Sequence, residues 1–282
     1  MPFQEKTFTG KNSKGTHNVV YSDWGDEKAP PIICVAGLTG NGHDFDFTAP
    51  ALVKAGYRVI AVDLPGRGRS DFLTNSLDYN YNQYCDDLLG LISELGLKDV
   101  DWLGVSLGGL LGIRIAGAGQ SPIRRLILND VGPVVPQAAL DFIHMVISKH
   151  YQFDTIKDLE KRMRETRGLT WGPVTDEQWK HMAEHNARAL PDGAITYGYD
   201  PGIAEIFKTE PTGDKDLWPY WDKIECPVLL IHGKKSVVLT KEIVSEMKKR
   251  GPKMDYVVFG DCGHVPSLWA PEQIKAIEKW LK

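Results

Sequence analysis

The 282-residue sequence has no hydrophobic run close to the roughly 20 apolar residues that a membrane-spanning helix requires. Its first nine residues, MPFQEKTFT, carry charged side chains and lack an apolar stretch, so we expect no secretory signal. Basic residues are not in excess, because the sequence has 33 lysines and arginines and 37 aspartates and glutamates. The net charge of −4 argues against a surface for nucleic acid or anionic membranes. We therefore expect a cytoplasmic protein that binds neither nucleic acid nor membranes.

Cysteine is scarce, and the spacings typical of metal sites are missing. The four cysteines are Cys34, Cys85, Cys226 and Cys262. They are far apart and include no C-x-x-C pair, which argues against both a disulfide framework and a zinc site. His181 and His185 are four residues apart on a predicted helix but lack the glutamate of an H-E-x-x-H motif, so an exposed helix face is favoured. His43 and Asp44 are expected to cap a helix. The sequence thus predicts no metal and no cofactor.

Short apolar runs alternate with amphipathic segments over most of the chain. The apolar runs, each bounded by glycine or polar turns, are 31–36, 57–63, 100–105, 125–130, 227–232 and 254–259. Runs that are apolar throughout are typical of parallel strands covered on both faces. The predicted helices between them are 44–55, 80–95, 107–118, 241–250 and 271–281. This order predicts a doubly wound α/β fold, with residues 8–24 as an antiparallel hairpin at one edge.

The alternation stops after Asp130 and resumes only at Pro227. Between these points the sequence has helical periodicity, interrupted by Gly172-Pro173 and Pro201-Gly202. We interpret residues 134–216 as a helical cap inserted into the fold. The core would then consist of residues 1–133 and 217–282.

One serine lies where a predicted strand meets a predicted helix. The sequence Gly104-Val-Ser-Leu-Gly108 has the form G-x-S-x-G, follows the 100–105 run and opens the next helix. Such a corner holds the serine in a strained conformation at a helix N-terminus, where negative charge is favoured. The alternative is a serine that only caps a helix in a glycine-rich turn. The context favours Ser106 as a nucleophile.

Several motifs in this order resemble the α/β-hydrolase superfamily over nearly the whole chain. Besides the serine corner, Asp63-Leu-Pro-Gly-Arg-Gly-Arg-Ser70 is similar to the family's D-x-x-G-x-G-x-S stretch. The resemblance is to serine-nucleophile, cap-bearing members, close to carboxylesterases and meta-cleavage-product hydrolases. It implies an eight-stranded, mostly parallel sheet, a small-molecule substrate, and a monomer or homodimer.

The resemblance also implies a base and an oxyanion hole, the pair of N–H donors that stabilises a negative oxygen. His264, in Gly260-Asp-Cys-Gly-His-Val-Pro266, occupies the family's position for the base, after the last predicted strand. The donors would be the backbone N–H of Leu107, directly after the serine, and that of Leu38 in Ala36-Gly-Leu-Thr-Gly40.

The acid is where the sequence departs from the family pattern. Relatives place it in the turn after the penultimate strand, where this chain has Val237. A second position, known in haloalkane dehalogenases, is the end of the strand after the nucleophile helix, and here it holds Asp130. We favour Asp130, although it would equally serve as a structural carboxylate at the entry to the cap. Asp261 is a poorer candidate because it lies only three residues from His264.

The resemblance restricts the reaction without fixing the substrate. A serine nucleophile argues against halide displacement and epoxide opening, and ester hydrolysis is favoured. The alternatives are cleavage of a C–C or amide C–N bond in a small carboxylate-bearing metabolite, and a ligand receptor without catalysis on the same fold. Aromatic residues that would line the pocket, or only pack the cap, are Phe142, His144, Trp171, Trp218 and Tyr220.

Overall fold

The computed structural model describes residues 2–209 and 212–282. Within them the strands are β1 (Gln4–Asn12), β2 (Gly15–Trp24), β3 (Pro31–Val35), β4 (Arg58–Val62), β5 (Val100–Val105), β6 (Ile123–Asn129), β7 (Val134–Val135), β8 (Ala187–Ala189), β9 (Ile195–Tyr197), β10 (Lys215–Asp216), β11 (Val228–Gly233) and β12 (Met254–Phe259). The α-helices are α1 (Ala49–Lys54), α2 (Tyr81–Glu94), α3 (Leu107–Ala116), α4 (Gln137–Ile147), α5 (Ile156–Arg167), α6 (Asp176–His185), α7 (Ile206–Thr209), α8 (Trp218–Trp221), α9 (Lys241–Met247) and α10 (Pro271–Leu281). None of the helices in these ranges is both long and apolar enough to cross a membrane.

Eight strands form one twisted sheet in the order β1-β2-β4-β3-β5-β6-β11-β12. The β1–β2 hairpin and the β2–β4 pair are antiparallel, whereas all pairs from β4 to β12 are parallel. The predicted α/β fold class, with its mostly parallel sheet and antiparallel edge hairpin, is therefore confirmed. Because parallel strands all end at the same edge, the residues that follow them are brought close together.

Apolar layers cover both faces of the sheet, as the continuous apolar runs predict. On one face Trp102 and Leu128 pack with Leu91 of α2 and Leu111 of α3. On the other face the sheet packs against Leu52 of α1 and against α10, through the side chains of Ile277 and Leu281. Both layers are buried almost completely, so the central strands form a rigid base for the loops that follow them.

The predicted helix at 44–55 is in fact two pieces. A 3₁₀ turn spans Gly42–Phe45, and α1 begins only at Ala49. Pro50 lies in the first turn of α1, where its missing N–H costs no hydrogen bond. The side chain of Asn41, not that of His43 or Asp44, caps the 3₁₀ turn by accepting from the N–H of His43. The capping prediction for His43 and Asp44 is therefore wrong.

Residues 134–216, which we call the insertion, contain α4 to α7 and two small ribbons. One ribbon pairs β7 with β10 and brings the two ends of the insertion together, and the other pairs β8 with β9. Leu159, Met163 and Trp179 form a separate apolar cluster that also includes Trp269 from the loop before α10. The insertion therefore packs on the loops that follow the sheet. The division at residues 134 and 216 stays a prediction.

The expectation that His181 and His185 form an exposed helix face is wrong for His181. Its Nε2 atom lies 3.0 Å from Asp46 Oδ2, and its side chain is largely buried. The ring of His185 stacks on that of His43 at a centroid distance of 3.9 Å. The sequence did not reveal these contacts because His43 and Asp46 lie at least 130 residues before α6.

Candidate active site

Ser106 lies at the corner between β5 and α3, with φ of 48° and ψ of −109°. Few non-glycine residues adopt this conformation, which points the side chain away from both elements. The flanking glycines are required by close packing: a Cβ on Gly104 would overlap the backbone of Gly108, and one on Gly108 would overlap the carbonyl of Val35. The corner is therefore a backbone arrangement that only this glycine pattern permits.

Ser106, His264 and Asp130 form a continuous hydrogen-bonded chain. Ser106 Oγ lies 3.1 Å from His264 Nε2, and His264 Nδ1 lies 2.8 Å from Asp130 Oδ2. The other carboxylate oxygen of Asp130 accepts from the backbone N–H of Gly233 at 2.8 Å. Asp130 is fully buried, so this chain of contacts is shielded from water on the acid side.

The sheet edge explains why residues so distant in sequence meet here. Ser106 follows β5, Asp130 follows β6, and His264 lies in the loop after β12. The amide of Asp130 donates to Ile231 O at 2.8 Å, which holds the end of β6 beside β11. Asn129 Nδ2 donates to Pro266 O at 2.8 Å and ties the same strand end to the histidine loop. The backbone next to each of these three residues is thus held by hydrogen bonds to a neighbouring strand or loop.

Neither Asp261 nor the usual position of the acid, residue 237, supplies a carboxylate to the imidazole. Val237, at the position where relatives have the acid, is 77% exposed in the turn after β11. Asp261 is exposed, and its carboxylate contacts the thiol of Cys262. Asp130 is the carboxylate that the structure places on His264.

The backbone N–H groups of Leu38 and Leu107 lie on two segments that are bonded to each other. Leu107 is the first residue of α3, so its N–H has no acceptor within the helix. Leu38 lies in a turn closed by a bond from Gly40 N to Gly37 O at 3.1 Å. The bond from Gly108 N to Ala36 O, also 3.1 Å, joins the two segments. For neither amide do the described residues supply a backbone acceptor.

Arg67 supports this turn, and the sequence had not singled it out. Its Nε donates to Leu38 O at 2.8 Å, and its Nη1 donates to Pro65 O and to the Tyr84 hydroxyl, both at 2.6 Å. The guanidinium is almost fully buried. Sequence reasoning saw Arg67 only as a variable position in the Asp63–Ser70 stretch, since its partners on the turn and on α2 are distant in sequence.

Asp44 lies on the inner side of the same turn. Its carboxylate occupies the space that a Cβ on Gly40 would need. Burial raises the pKa of Asp44 to about 6, and the positive charge of Arg167 in the insertion opposes this rise. A carboxyl group with a pKa of about 6 therefore lies beside the turn that carries Leu38.

The insertion contacts the loop that carries His264 directly. Gly263 N donates to Thr170 O at 2.7 Å, and Ser267 N donates to Trp171 O at 3.0 Å. The Trp171 ring lies edge-on to Trp269 at 5.7 Å. Gly172, with φ of 81°, leaves room for the Cys262 sulfur. Backbone hydrogen bonds to the insertion thus hold the loop on both sides of His264.

Among the other residues predicted to line a pocket, Phe142 and His144 lie elsewhere on the insertion, whereas Trp218 and Tyr220 lie on α8, outside it. Phe142 is 61% exposed on α4, and the ring of His144 stacks on Phe207 at 5.5 Å. Trp171 packs against Trp269 and lies next to the histidine loop, as described above. Substrate contacts for these three residues stay predictions.

Comparison with known proteins identifies relatives over the same length. The family model for the alpha/beta hydrolase fold matches residues 30–271. A 3-hydroxybutyrate-oligomer hydrolase of Cupriavidus necator is 38% identical over 92% of this chain and 91% of its own. A bifunctional esterase/perhydrolase of Acinetobacter calcoaceticus is 25% identical over 86% of this chain and 88% of its own.

Solved structures agree with this assignment. An alpha/beta hydrolase from Novosphingobium aromaticivorans superposes with a TM-score of 0.85 at 30% identity, covering 100% of this chain and 99% of the other. A Rickettsia typhi structure superposes with a TM-score of 0.91 at 32% identity and the same coverage. Together with the sheet and the serine corner, these matches show that the chain belongs to the α/β-hydrolase fold family and is an enzyme of the hydrolase class.

Proposed function

We propose that the protein is a serine hydrolase that cleaves a carboxylic ester of a small substrate through an acyl-enzyme. The observation that carries the proposal is the hydrogen-bonded chain Ser106–His264–Asp130, with the N–H groups of Leu38 and Leu107 on adjoining segments. This is the set of groups that acyl transfer requires: a nucleophile, a base held in one tautomer, and two donors for a developing oxyanion.

In the first half of the reaction Ser106 Oγ attacks the ester carbonyl carbon while His264 Nε2 takes the hydroxyl proton. The carbonyl oxygen becomes negative and is bound by the N–H groups of Leu38 and Leu107. His264 then donates the proton to the leaving alkoxide as the C–O bond breaks. Asp130 remains ionised, holds Nδ1 protonated and stabilises the imidazolium.

In the second half a water molecule repeats these steps on the acyl-enzyme. His264 takes a proton from the water, and the resulting hydroxide attacks the acyl carbon. The same two N–H groups bind the oxyanion. Collapse of the intermediate returns the proton to Ser106 and releases the carboxylic acid, so the enzyme regains its starting state.

Ester cleavage is favoured by the names of the relatives. The 38% identical relative is named a hydrolase of 3-hydroxybutyrate oligomers, whose units are joined by ester bonds. A second relative is named an esterase/perhydrolase. We therefore propose short esters of hydroxy acids as the first substrates to test. The insertion would act as a cap over the serine, with Trp171 next to the histidine loop.

A substrate panel tests the bond type. Purified protein is assayed with 3-hydroxybutyrate oligomers, short and long nitrophenyl esters, an amide, and a dienoate C–C substrate. We expect turnover of the esters, and a loss of at least about 10⁴-fold in kcat for Ser106→Ala. Ser93→Ala, an exposed serine on α2, serves as the control and should keep full activity. Good amide or C–C turnover without ester turnover would contradict the proposal.

Covalent labelling separates an enzyme from a receptor on the same fold. A fluorophosphonate reacts with an activated serine, so we expect one label per chain, located on Ser106 by peptide mapping. The label should be lost in Ser106→Ala and retained in Ser93→Ala. Folded protein that takes up no label would favour the receptor alternative.

A further inference from the structure

A cluster of three histidines and one aspartate lies between the core and the insertion, apart from the serine site. It consists of His43 and Asp46 on the core, and His181 and His185 on α6. Taking one donor atom from each residue, all four atoms lie within 4.8 Å of one another. We propose that this cluster is a binding site for a transition-metal ion, Zn²⁺ in the first instance, which fastens the insertion to the core.

The backbone presents the four side chains in pairs. His181 and His185 are four residues apart on an α-helix, which places them on one face. His43 and Asp46 are three residues apart at a 3₁₀ turn, where side chains with that spacing also share a face. The two faces meet, since His43 stacks on His185 and His181 lies against Asp46.

One carboxylate oxygen of Asp46, Oδ2, lies 2.7 Å from His43 Nδ1 and 3.0 Å from His181 Nε2. Two buried atoms, Asp46 Oδ1 and His181 Nε2, make no hydrogen bond of regular geometry with the described residues. Buried polar atoms normally have a partner, so an unsatisfied pair in one cluster indicates a ligand. A metal ion would bond to both atom types, a carboxylate oxygen and an imidazole nitrogen.

The donor set selects the class of ion. Imidazole nitrogen with one carboxylate oxygen is typical of zinc and its neighbours, whereas magnesium and calcium prefer oxygen ligands alone. In a tetrahedral zinc site with bonds of about 2.0–2.2 Å, the donor atoms are about 3.4 Å apart. The donor atoms are now up to 4.8 Å apart, so binding would change their separations by at most about 1.5 Å.

The buried side chain of Asn41 contacts both elements that carry the cluster. Asn41 is buried, accepts from the N–H of His43 and donates to His185 O at 3.0 Å, so it holds the 3₁₀ turn and the end of α6 together.

A cleft of about 490 Å³ borders the cluster. His43 and His185 are among its lining residues, together with Arg69, Phe72 and Arg188. The cleft opens to solvent and does not include Ser106 or His264. The metal site and the proposed serine chemistry are therefore separate, and the tests below do not depend on activity.

Binding is measured by titrating metal-free full-length protein with ZnCl₂, and in parallel with MgCl₂, by calorimetry. We expect one zinc per chain and no response to magnesium. At a hundredfold excess over Kd, zinc should raise Tm by about 5 °C, because it binds only the folded state. Ser106→Ala should behave as wild type, which separates this result from the proposed function.

Histidine variants locate the ion. His181→Asn and His185→Asn should weaken zinc binding at least about tenfold, whereas His150→Asn, an exposed histidine outside the cluster, should not. Circular dichroism confirms that each variant is folded. Absence of zinc binding by wild type, or equal binding by wild type and His181→Asn, would overturn the proposal. So would loss of binding in His264→Asn with retention in His181→Asn, since the ion would then be at the serine site.

Discussion

At the scale of single residues, Asp130 has both carboxylate oxygens engaged. One contacts His264 Nδ1, and the other accepts from the amide of Gly233. A buried carboxylate with these two partners has one orientation only, and it determines which nitrogen of His264 faces Ser106. The position of this carboxylate thus depends on two neighbouring strands, β6 and β11, and not on the turn that contains Val237.

We predict that Asp130→Asn lowers kcat by about 10³–10⁴-fold and leaves the fold intact, since an amide favours the wrong imidazole tautomer. Steady-state kinetics on an ester substrate measures the loss, with circular dichroism as the check on folding. Asp261→Asn, in the histidine loop itself, is the matched control and should retain activity. Near-normal turnover by Asp130→Asn would eliminate it as the acid.

The serine corner yields a second residue-scale prediction. A Cβ at Gly108 would overlap the carbonyl of Val35, which is held in the central sheet and cannot move away. Gly108→Ala should therefore lower the free energy of unfolding by about 2–3 kcal/mol. Gly260→Ala, where no atom lies within 4 Å of the added Cβ, is the control and should be nearly neutral. Urea unfolding compares the two, and equal stabilities would refute the packing argument.

At the scale of elements, backbone hydrogen bonds join the insertion to the loop after β12. Thr170 and Trp171 accept backbone hydrogen bonds from Gly263 and Ser267, on either side of His264. The position of the imidazole is therefore set by the insertion as well as by the sheet. A change in this contact would move His264, the proposed base, relative to Ser106, and small displacements of a base have large effects on rate.

Gly172→Ala tests this coupling. An added Cβ would meet the Cys262 sulfur and displace the histidine loop. Gly193→Ala, also in the insertion, has a similar positive φ but open space around it. We expect both variants to lose about 1 kcal/mol of stability from backbone strain, but only Gly172→Ala to lose kcat and fluorophosphonate labelling rate. Equal activity in the two variants would argue against positioning by the insertion.

At the scale of the whole molecule, the antiparallel edge of the sheet is held by buried charges. Asp23 on β2 accepts from Arg58 on β4 at 2.7 and 2.8 Å, and from Lys6 on β1 at 2.8 Å. Burial acts to raise the pKa of the Asp23 carboxyl, but the hydrogen bonds from Arg58 and Lys6 outweigh it, so the pKa lies below its usual value. The ionised form is therefore favoured by folding.

This depressed pKa gives the stability a defined pH dependence. The contribution of Asp23 is fully present above its unfolded pKa, near 3.8, and is lost as the pH falls through the lower folded value. Asp23→Asn should cost about 3 kcal/mol at pH 7, and less at a pH below the folded value. Urea unfolding at both pH values measures this. Glu27→Gln, which removes the exposed partner of Lys6, is the control and should change little. An Asp23→Asn effect independent of pH would contradict the argument.

Much of this fold follows from local pattern. The predicted limits of β5, β12 and α10 agree with the structure at both ends, because continuous apolar runs and a proline at a helix start are local signals. The 3₁₀ turn at Gly42–Phe45 was missed, since it is begun by a single side-chain cap from Asn41 and is separated from α1 by only three residues. The positions of Ser106, Asp130 and His264 at the ends of strands also followed from the sequence order.

What only the tertiary structure decided are contacts between residues far apart in the chain. The contact of Asp130 with His264 joins residues 134 positions apart, and the support of the Leu38 turn by Arg67 had no sequence signal. The meeting of His43 and Asp46 with His181 and His185 required the insertion to pack on the core. Periodicity reports which face of an element is buried, whereas the partner on that face is set by the packing of the whole chain.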